Sequence, residues 1–493
     1  MKEKIPKQII QIIKKLKKHG FQSFIVGGCV RDLLRKEKPA DWDIATDARP
    51  EEILKIFPHS YYDNKFFTVC VQTKSKDFSL KEIEITTFRK EGKYENKRHP
   101  SEISFAQTIE EDLSRRDFTI NAMALDMKNL KNQKEYQIID PFNGQADLEK
   151  KIIRAVRDPK ERFNEDALRM LRAVRLLVVL NQGWKIEEKT FQAIKELSHL
   201  LNYISGERIR DEFEKIILSS QAVKGIEVLR ESGLLKYIVP ELLEGYLVSQ
   251  NKHHIFDCWT HSLKSLEFAC QKNFSLEVRL AALFHDIGKP RTKKGEGPNA
   301  TFYGHEIVGA KMTEKILQRL KFPKKQIEKI VKLVRYHLFY YNVGEVGEAS
   351  VRKLLRNVGK ENIEELIQLR MADRIGSGVP KAEPYKLRHL RYTIEKISKD
   401  PLSVKMLKVN GHDVMERLKI QPSPKIGQIL NILLKEIIED KSKNKKSFLL
   451  KRIEELGRLN DNDLLKMAIE SKKKIEAIET KTDQMTKKKY WVF

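Results

Sequence analysis

The sequence has few cysteines and no long apolar run. Its four cysteines, Cys29, Cys70, Cys258 and Cys270, are scattered and form no Cys-x-x-Cys pair. This scarcity argues against a thiolate zinc site and a disulfide framework, and it favours a reducing compartment. No apolar stretch approaches the ~18 residues that a membrane span needs, and the charged N-terminus lacks a signal peptide's apolar core. We therefore expect a cytoplasmic protein without a membrane partner.

Positive charge is in excess. Lys and Arg number 95 against 69 Asp and Glu, a formal net charge of +26. The excess favours a polyanionic partner, because each phosphate that a basic side chain neutralises releases counterions. A lysine-rich genome would produce the same excess, and charge by itself does not separate tRNA, mRNA, DNA and an acidic membrane surface. The length of 493 residues suggests roughly three or four domains.

The stretch FIVGGCVRDLLRKEKPADWDIAT, residues 24–46, carries two features of a phosphate site. A short apolar strand is followed by Gly27 and Gly28 and then by a helix. Glycine lets the backbone approach a phosphate, and the start of a helix offers unpaired N–H groups. Further on, Asp41 and Asp43 are predicted to share one face of a second strand. Two carboxylates on one face suit a divalent ion that bridges nucleotide phosphates.

Joined in this order, the two features resemble the nucleotidyltransferases of the polymerase-beta superfamily. The resemblance is specifically to the bacterial class II branch, the tRNA CCA-adding enzymes and their poly(A) polymerase relatives. It implies that Asp41 and Asp43 hold two Mg²⁺ ions. It also implies that Gly27, Gly28 and Arg31 contact the triphosphate.

Several neighbouring stretches complete a predicted head domain. Residues 6–19 have the apolar stripe of an amphipathic helix, and residues 66–73 and 80–89 are rich in β-forming residues. Glu84 is either a third carboxylate of the kind this superfamily often has or an ordinary solvent-facing strand residue. Residues 89–100, RKEGKYENKRHP, lack an apolar period and predict a mobile loop. A flexible loop here is tied to the final A addition in this family, which disfavours an enzyme restricted to adding CC.

LSRRDFTINAMALD, residues 113–126, closely matches the family's ribose-recognising motif. Its centre, Arg115-Arg116-Asp117, suits a phosphate and a sugar hydroxyl, and would also suit a salt-bridged surface turn. The resemblance implies that Asp117 binds the ribose hydroxyls and Arg116 the phosphates, with Asn121 as a supporting contact.

A long helix is predicted to begin at residues 164–166. Glu165 and Arg169 have the spacing of an ordinary helical ion pair, with Arg172 one turn further. In class II enzymes, however, an E-D-x-x-R helix takes the place of a template. The resemblance therefore implies that Glu165, Asp166 and Arg169 select the incoming nucleotide, and Arg172 is predicted to bind the nucleotide with them. A guanidinium offers donors, and a carboxylate offers acceptors for the exocyclic amino groups of C and A.

Two further stretches resemble parts of the same family. Residues 205–219, SGERIRDEFEKIILS, predict a packing helix like the last head-and-neck motif, and we expect no direct chemistry from it. Residues 401–440, notably VNGHDVM and PKIGQIL, resemble the tail region. The Lys- and Glu-rich residues after them predict helices that form either a solvated tail or a contact with the tRNA backbone.

A second set of histidines and acids runs through helical sequence in the order H…HD…H…H…D. This order resembles the HD phosphohydrolase superfamily, whose imidazole and carboxylate ligands hold a metal that activates water. The resemblance implies a first divalent transition-metal site at His261, His285, Asp286 and Asp373, and allows a second at His305 and His337. A 2′,3′-cyclic phosphate or a phosphomonoester is the expected substrate. HD domains can also persist as inert tRNA-binding scaffolds, and both interpretations stay open at this point.

Together these features predict an α+β multidomain protein. Its predicted parts are a polymerase-beta-like nucleotidyltransferase head (1–150), a helical neck and body (151–250), an HD domain (251–375) and a helical tRNA-binding tail (376–493). The expected function is CCA addition to tRNA from CTP and ATP by two-metal transfer without a nucleic-acid template, with Mg²⁺ as cofactor and no DNA partner. A-only addition and poly(A) polymerase activity are alternatives, although NKFFTV stands where a polymerase would have a basic G-R-R-F-like signature. From another class, the alternative is an HD phosphohydrolase with a relic head.

Overall fold

A computed structural model describes most of the chain, namely residues 5–63, 67–91, 94–95, 99–100, 103–127, 136–180, 182–251, 255–398 and 403–492. The chain divides into two compact units, one formed by Met1–Leu338 with Gln368–Pro380 and one formed by Phe339–Ile367 with Lys381–Phe493. In the part that the structure describes, no helix is long and apolar enough to cross a membrane. The predicted mixed α+β class is confirmed.

All strands of the described residues lie in the first unit. They are β1 (Ser23–Val26), β2 (Asp43–Thr46), β3 (Ser60–Asp63), β4 (Thr68–Gln72), β5 (Glu82–Thr87), β6 (Arg89–Glu91), β7 (Tyr94–Glu95), β8 (His99–Pro100), β9 (Ile103–Phe105), β10 (Ala124–Met127), β11 (Tyr136–Ile139), β12 (Ile152–Ile153) and β13 (Lys185–Ile186).

A seven-stranded sheet forms the head, in the order β11-β10-β1-β2-β5-β4-β3. Within this sheet β2 and β5 run parallel, with Asp43 opposite Glu84 and Ile44 opposite Ile85. The other neighbouring pairs are antiparallel. The parallel pair therefore brings the start of β2 beside the middle of β5.

The described residues of the first unit also form α-helices that lie wholly within it. They are α1 (Lys7–Lys18), α2 (Gly28–Leu34), α3 (Pro50–Ile56), α4 (Ile109–Ser114), α5 (Gly144–Glu149), α6 (Pro159–Glu165), α7 (Leu168–Val179), α8 (Glu188–Leu197), α9 (Gly206–Leu218), α10 (Ala222–Glu231), α11 (Leu235–Ile238), α12 (Pro240–Leu243), α13 (Cys258–Gln271), α14 (Leu276–Phe284), α15 (Lys289–Thr292), α16 (His305–Arg319) and α17 (Lys324–Tyr336).

The head core lies between the sheet and its helices. The predicted amphipathic helix is confirmed as α1, whose buried residues Ile9, Ile13 and Leu16 pack into one cluster with Ile25 and Ile44 of the sheet. A smaller cluster, which includes residues of β1 and α4, covers the opposite face. Because both faces of β1 are buried, the loop that follows this strand has a rigid support.

Asp41 lies outside the strand predicted for it. β2 begins at Asp43, and Asp41 and Trp42 precede it. Trp42 is buried in the head core, so the chain turns inward at this point and does not pair with β1. The prediction of one continuous strand face is therefore wrong, although the two carboxylates remain neighbours.

The helix predicted to start at residues 164–166 is divided in two. Asp158 caps α6 through its side chain, and α6 ends at Glu165. Asp166 has an extended backbone, with φ −135° and ψ 103°, and its Oδ1 accepts a hydrogen bond from the N–H of Leu168 at the start of α7. An aspartate that bonds the backbone two residues ahead competes with helix continuation. Glu165 and Asp166 consequently lie in a break between helices.

The segment 89–100, predicted as a mobile loop, contains short paired strands that the sequence did not predict. β6 pairs with β9, and β7 pairs with β8. The sequence reasoning did not identify 103–105 as the partner strand, and without it Arg89–Glu91 shows no strand pattern. Residues 92–93 and 96–98 of the predicted loop lie outside the described residues.

The second unit is helical, as predicted for the tail. Its own buried cluster includes Val414, Ile429, Leu433, Ile453 and Leu464. The remaining α-helices of the described residues are α18 (Glu348–Val358), α19 (Ile363–Gly376), α20 (Tyr385–Ser398), α21 (Gly411–Leu418), α22 (Pro424–Glu439), α23 (Lys446–Gly457) and α24 (Asp461–Lys489). Residues 368–376 of α19 belong to the first unit.

Candidate functional site

Three carboxylates meet where β2 begins. Asp43 is the first residue of β2, Glu84 is its Cα partner on β5, and Asp41 lies just before the strand. Burial and the charge of Asp41 raise the pKa of Asp43 to about 7; Glu84 adds to this rise, and Arg116 opposes it. Nearby cations thus leave part of the negative charge uncompensated. Oxygen donors with uncompensated charge fit Mg²⁺, and Glu84, whose role the sequence left open, lies beside them.

Gly27 lies between this acidic cluster and a cation. Its φ is +79°, and a Cβ at this position would lie 2.8 Å from Arg116 Nη1 and 3.3 Å from Asp43 Oδ2. A side chain here would therefore disturb both groups. A Cβ at Gly28 would lie 3.5 Å from Arg31 Nη2, which is an ordinary contact. The close approach that the sequence predicted thus depends on the first glycine of the pair.

A chain of hydrogen bonds and ion pairs joins the residues predicted to bind triphosphate and ribose. Arg31 Nη1 donates to Asn121 Oδ1 at 2.8 Å, and Asn121 Nδ2 donates to Asp117 Oδ1 at 3.2 Å. Arg172 Nη2 lies 2.7 Å from Asp117 Oδ2. Burial alone would raise the pKa of Asp117, but Arg172 and Arg169 hold it below its usual range. Asp117 is therefore a fixed acceptor between the head and α7.

Asp112, which the sequence reasoning missed, anchors both arginines of the Arg-Arg-Asp motif. It is buried on α4, with an oxygen 2.7 Å from Arg115 Nη2 and the other 3.4 Å from Arg116 Nη2. Its spacing of three and four residues from the two arginines was the available signal, since such residues share a helix face. The orientation of Arg116 towards Gly27 and Asp43 thus depends on a buried carboxylate.

Arg169 is held tightly by its surroundings. Its Nη1 donates to Glu165 Oε2 at 2.7 Å, and its Nη2 donates to the carbonyl oxygen of Arg115 at 2.8 Å. Glu165 also pairs with Arg162. The predicted Glu165–Arg169 pair is therefore present, and it spans the break between α6 and α7 and reaches the head motif.

Asp166 has a partner that the sequence reasoning missed. Arg208, on α9, places Nη2 at 2.9 Å from Asp166 Oδ2. The helix 205–219 was expected to carry no chemistry. Only the packing of α9 against α7 makes this contact, so no local pattern in the sequence could reveal it.

A second acidic and imidazole cluster lies at α13, α14, α16, the end of α17 and the segment 368–380. Asp286 Oδ2 lies 3.0 Å from His261 Nε2 and 3.3 Å from His285 Nε2. Asp286 Oδ1 lies 3.3 Å from His305 Nε2 and 3.6 Å from His337 Nε2. The two oxygens of one carboxylate thus face two separate histidine pairs, and each set of three residues could hold a metal ion.

Hydrogen bonds at Nδ1 orient three of the histidines so that Nε2 can bind a metal. The Nδ1 atoms of His285, His305 and His337 are each hydrogen-bonded to the carbonyl oxygen of the residue three positions earlier, at 2.9, 2.8 and 2.7 Å. A carbonyl only accepts, so each Nδ1 donates and each Nε2 keeps its lone pair when the ring is neutral. Burial lowers the pKa of His337, which favours that neutral form. Lone pairs opposite carboxylate oxygens require a cation between them, so these residues fit a metal.

Asp373 completes the first histidine pair. Its Oδ1 lies 3.5 Å from His261 Nε2 and 3.7 Å from His285 Nε2. Burial lowers the pKa of His285, but Asp286 and Asp373 outweigh burial and raise it to about 10. The cluster therefore attracts positive charge at this point. All six residues predicted for the HD site are brought together.

A cavity of about 720 Å³ opens onto this cluster. Asp286, His305, His337 and Asp373 line it, and so do three basic residues, Lys289, Arg370 and Arg374. Lys289 Nζ lies 2.6 Å from Asp286 Oδ2, which makes it a direct neighbour of the carboxylate shared by both histidine pairs. Cations beside a metal-ligand cluster suit an anionic substrate such as a phosphate ester.

Comparison with known protein families divides the chain into three matched regions. The model "Poly A polymerase head domain" matches residues 23–154, and "Probable RNA and SrmB-binding site of polymerase A" matches residues 183–245. The HD domain model matches residues 258–377. The bounds of the four domains predicted from the sequence stay predictions, since a family match does not measure them.

Relatives and solved structures match over almost the full length. A CCA-adding enzyme of Lactococcus lactis subsp. lactis is 32% identical over 461 residues, 92% of this chain and 99% of its own. One from Bacillus cytotoxicus is 32% identical over 457 residues, 91% of this chain and 98% of its own. The crystal structure of the Bacillus stearothermophilus CCA-adding enzyme in complex with CTP is 28% identical, with a TM-score of 0.57 over 92% of this chain and 97% of that one. Relatives that are 32% identical over 91% or more of this chain show that it belongs to the family of CCA-adding enzymes.

Proposed function

We propose that this chain completes the 3′ end of tRNA by adding C, C and A from CTP and ATP without a nucleic-acid template. The observation that carries the proposal is that Arg172 pairs with Asp117 and, like Arg116, acts on the buried carboxylate of Asp43. These interactions support one site that combines the acidic cluster with the proposed phosphate, sugar and base contacts. The match to CCA-adding enzymes over nearly the whole chain supports the same activity.

Asp41 and Asp43 are the proposed ligands of catalytic Mg²⁺, with Glu84 as a third carboxylate. Bound ions would neutralise the triphosphate and favour ionisation of the attacking 3′ hydroxyl. Arg116, fixed beside Gly27, supplies positive charge to phosphate oxygens, and Asp117 accepts hydrogen bonds from the ribose hydroxyls. The reaction joins the 3′ oxygen to the α-phosphorus and releases pyrophosphate, and it is accelerated mainly by positioning and charge neutralisation.

Asp166 is the proposed reader of the base. A carboxylate accepts hydrogen bonds from the exocyclic amino groups of cytosine and adenine, whereas uracil and guanine present carbonyl oxygens at those positions. Arg169 is bonded to Glu165 and to the head motif, so we assign it to holding the break between α6 and α7 as well as to donating to the base. Glu165 supports that arrangement.

The test uses tRNA transcripts that end at the discriminator base, at C and at CC. Each is incubated with Mg²⁺ and labelled CTP or ATP, together with a variant that carries Asp41→Ala and Asp43→Ala. We expect all three transcripts to grow to one defined CCA end with the wild-type protein and none with the variant. A matched control is Asp47→Asn, whose Oδ1 accepts from the N–H of Gln22 and takes no part in the cluster.

Other results would assign other activities. Extension of the CC transcript alone would identify an A-adding enzyme, and open-ended A tails on unrelated RNA would identify a poly(A) polymerase. No incorporation at all would overturn the transferase proposal. The full-length relatives carry the name of CCA-adding enzymes, which favours the first result over these alternatives.

A second activity is proposed for the HD cluster, namely hydrolysis of a 2′,3′-cyclic phosphate or a phosphomonoester. The observation that favours it is Asp286, whose two oxygens face separate histidine pairs beside Lys289 and Arg370. A divalent transition metal held by these ligands would supply an activated water. Lys289 and Arg370 are the residues that bind the phosphate oxygens.

Hydrolysis is tested with the phosphomonoester p-nitrophenyl phosphate and with RNA that ends in a 2′,3′-cyclic phosphate, after loading with Mn²⁺, Co²⁺ or Ni²⁺. We expect metal-dependent release of product that Asp286→Ala abolishes. CTP and ATP addition should persist in the same variant, because the two clusters share no residue. Metal binding without turnover on either substrate would identify an inert scaffold.

The helical tail, 376–493, is the proposed contact with the tRNA backbone. α24 exposes a run of three lysines, Lys472, Lys473 and Lys474, which suits phosphate contacts without base specificity. Reversing these three charges to glutamate should weaken tRNA binding and flatten its dependence on salt. We also propose a cytoplasmic location, which fits the absence of a disulfide among the four cysteines.

A further inference from the structure

The carboxylate of Asp166 is held from two sides. Its Oδ1 accepts a hydrogen bond from the N–H of Leu168 at 3.1 Å, and its Oδ2 lies 2.9 Å from Arg208 Nη2. The first bond comes from the start of α7 and the second from α9. Each carboxylate oxygen can accept more than one hydrogen bond, so both contacts leave room for a base. The two bonds determine the direction in which the remaining lone pairs point.

The hydrogen bonding of Arg208 differs from that of Arg279, an arginine that packs against the same helix, α9. Arg279 is buried, and its Nη1 donates to the carbonyl oxygens of Ile217, Leu218 and Ser219 at the end of α9, at 3.1, 2.7 and 3.1 Å. Arg208 lies near the other end of this helix, and its Nη1 is buried without a hydrogen-bond partner in the described part of the chain. A buried donor that lacks a partner disfavours folding. Arg208 is therefore poorly explained as a packing residue.

We propose that Arg208 is a positioning residue for base selection and that it acts by fixing the orientation of the Asp166 carboxylate. This inference rests on the proposed function. With the carboxylate fixed, an amino group of cytosine or adenine meets an acceptor, and a carbonyl oxygen of uracil or guanine meets a repelling oxygen. Without Arg208 the side chain of Asp166 turns more freely, so the penalty against uracil and guanine falls.

A matched control exists on the same two helices. Arg175 of α7 places Nη1 at 3.1 Å from Glu212 Oε1 of α9, so this pair also joins α7 to α9. Arg175 pairs with Glu212 rather than with Asp166, and it is not among the residues assigned to nucleotide binding. Loss of either arginine weakens the same helix contact. Only loss of Arg208 releases Asp166.

The experiment measures kcat/KM for CTP and for UTP on transcripts that end at the discriminator base, and for ATP and GTP on transcripts that end at CC. Wild type is compared with Arg208→Gln, Arg208→Lys and Arg175→Gln, and thermal unfolding verifies that each variant is folded. We expect Arg208→Gln to lower the CTP-to-UTP and ATP-to-GTP ratios by about tenfold or more, with a smaller fall for Arg208→Lys. Arg175→Gln should leave both ratios at the wild-type value even if it lowers the unfolding temperature.

A double-mutant comparison separates positioning from general damage. In an Asp166→Ala background, Arg208→Gln should cause no further fall in either ratio, because the carboxylate it orients is gone. Unchanged ratios in the folded Arg208 variants would overturn the inference, and if Arg208→Gln does not fold, Arg208→Lys decides. Wild-type protein that adds neither C nor A would overturn the proposed function instead, so the two failures are distinguishable.

Discussion

Arg172 Nη2 lies 2.7 Å from Asp117 Oδ2 and thereby joins α7 to the segment after α4. Asp117 is only 7% exposed, and it also accepts hydrogen bonds from Asn121 and from the N–H of Phe118. Burial would raise the pKa of Asp117, but the charge of Arg172 and, to a smaller extent, that of Arg169 hold this pKa below its usual range. One ion pair therefore both positions a proposed ribose ligand and links two parts of the first unit.

Replacement of Arg172 by alanine should destabilise the protein in a pH-dependent way. Because Asp117 is buried but Arg172 is partly exposed, we expect a loss of about 1–3 kcal/mol near neutral pH, less than for a fully buried pair. The pKa of Asp117 is lower in the folded state than in the unfolded state, where it is about 4. The ion pair therefore stabilises the fold at pH values above about 4, and this stabilisation is lost as the pH falls through the folded-state pKa. The difference in unfolding temperature between wild type and variant should therefore narrow as pH falls below about 4.

The control for this change is Arg352→Ala. Arg352 pairs with Glu348 at 3.0 Å, but its side chain is 60% exposed. Its removal should cost less than about 1 kcal/mol at any pH. A constant gap between wild type and the Arg172 variant across the pH range would contradict the assigned ion pair.

Substitution of Asp43 by asparagine should raise stability while it abolishes nucleotide addition. The change removes one negative charge from a cluster in which burial, Asp41 and Glu84 raise the pKa of Asp43. Near pH 8, without divalent ions, we expect a gain of at most about 4 kcal/mol, the free energy that corresponds to the raised pKa. Thermal unfolding with and without Mg²⁺ is the measurement.

Mg²⁺ should raise the unfolding temperature of wild type much more than that of the Asp43 variant, because ligand binding to the native state stabilises it. Asp47→Asn, outside the cluster, should gain no stability and should respond to Mg²⁺ like wild type. An Asp43 variant that loses stability would show that nearby cations already compensate the cluster.

Gly27→Ala and Gly20→Ala form a matched pair. Both glycines have positive φ, +79° and +88°, which an alanine tolerates poorly. At Gly20 no atom lies within 4 Å of an added Cβ, whereas at Gly27 the Cβ would meet Arg116 Nη1. Nucleotide addition by Gly27→Ala should fall by roughly a hundredfold, as expected when a phosphate-binding group is displaced, and Gly20→Ala should lose only stability. Similar activity in both variants would remove Gly27 from the site.

The HD cluster should bind metal with a stoichiometry that depends on which ligand is removed. Asp286 takes part in both candidate metal groups, and His337 in one of them. After loading with Mn²⁺, elemental analysis should show metal lost from both groups in Asp286→Ala and from one group in His337→Ala. His412→Ala changes an exposed histidine outside the cluster and should retain the wild-type content. Wild-type content in the Asp286 variant would show that the ions bind elsewhere.

Local patterns in the sequence predicted much of the packing. The apolar stripe predicted for residues 6–19 follows from the helical period, and Ile13 is buried as expected. The packing helix predicted at 205–219 buries Phe213. A residue's place on a helix face depends on its own neighbours in sequence, which is why these predictions hold. The order of histidines and acids likewise led to six residues that the fold brings together.

Contacts between distant segments could not be predicted in the same way. Glu84 lies beside Asp43 because β5 pairs with β2 in parallel, and Arg208 reaches Asp166 because α9 packs on α7. The break at Asp166 was also not predicted. It depends on one hydrogen bond, from the N–H of Leu168 to the side chain of Asp166, and a single position leaves no pattern in the sequence. The roles assigned to individual site residues stay predictions until the experiments above are done.

The parallel pairing of β2 with β5 also limits the insertions and deletions that β5 can tolerate. Along β5, Ile83 and Ile85 are buried and Glu84 between them is exposed. A one-residue insertion or deletion within β5 would reverse this alternation, burying the glutamate in the head core and exposing the isoleucines opposite Asp43. We therefore expect the length of β5 to be invariant during evolution, while its solvent-facing residues away from Glu84 vary.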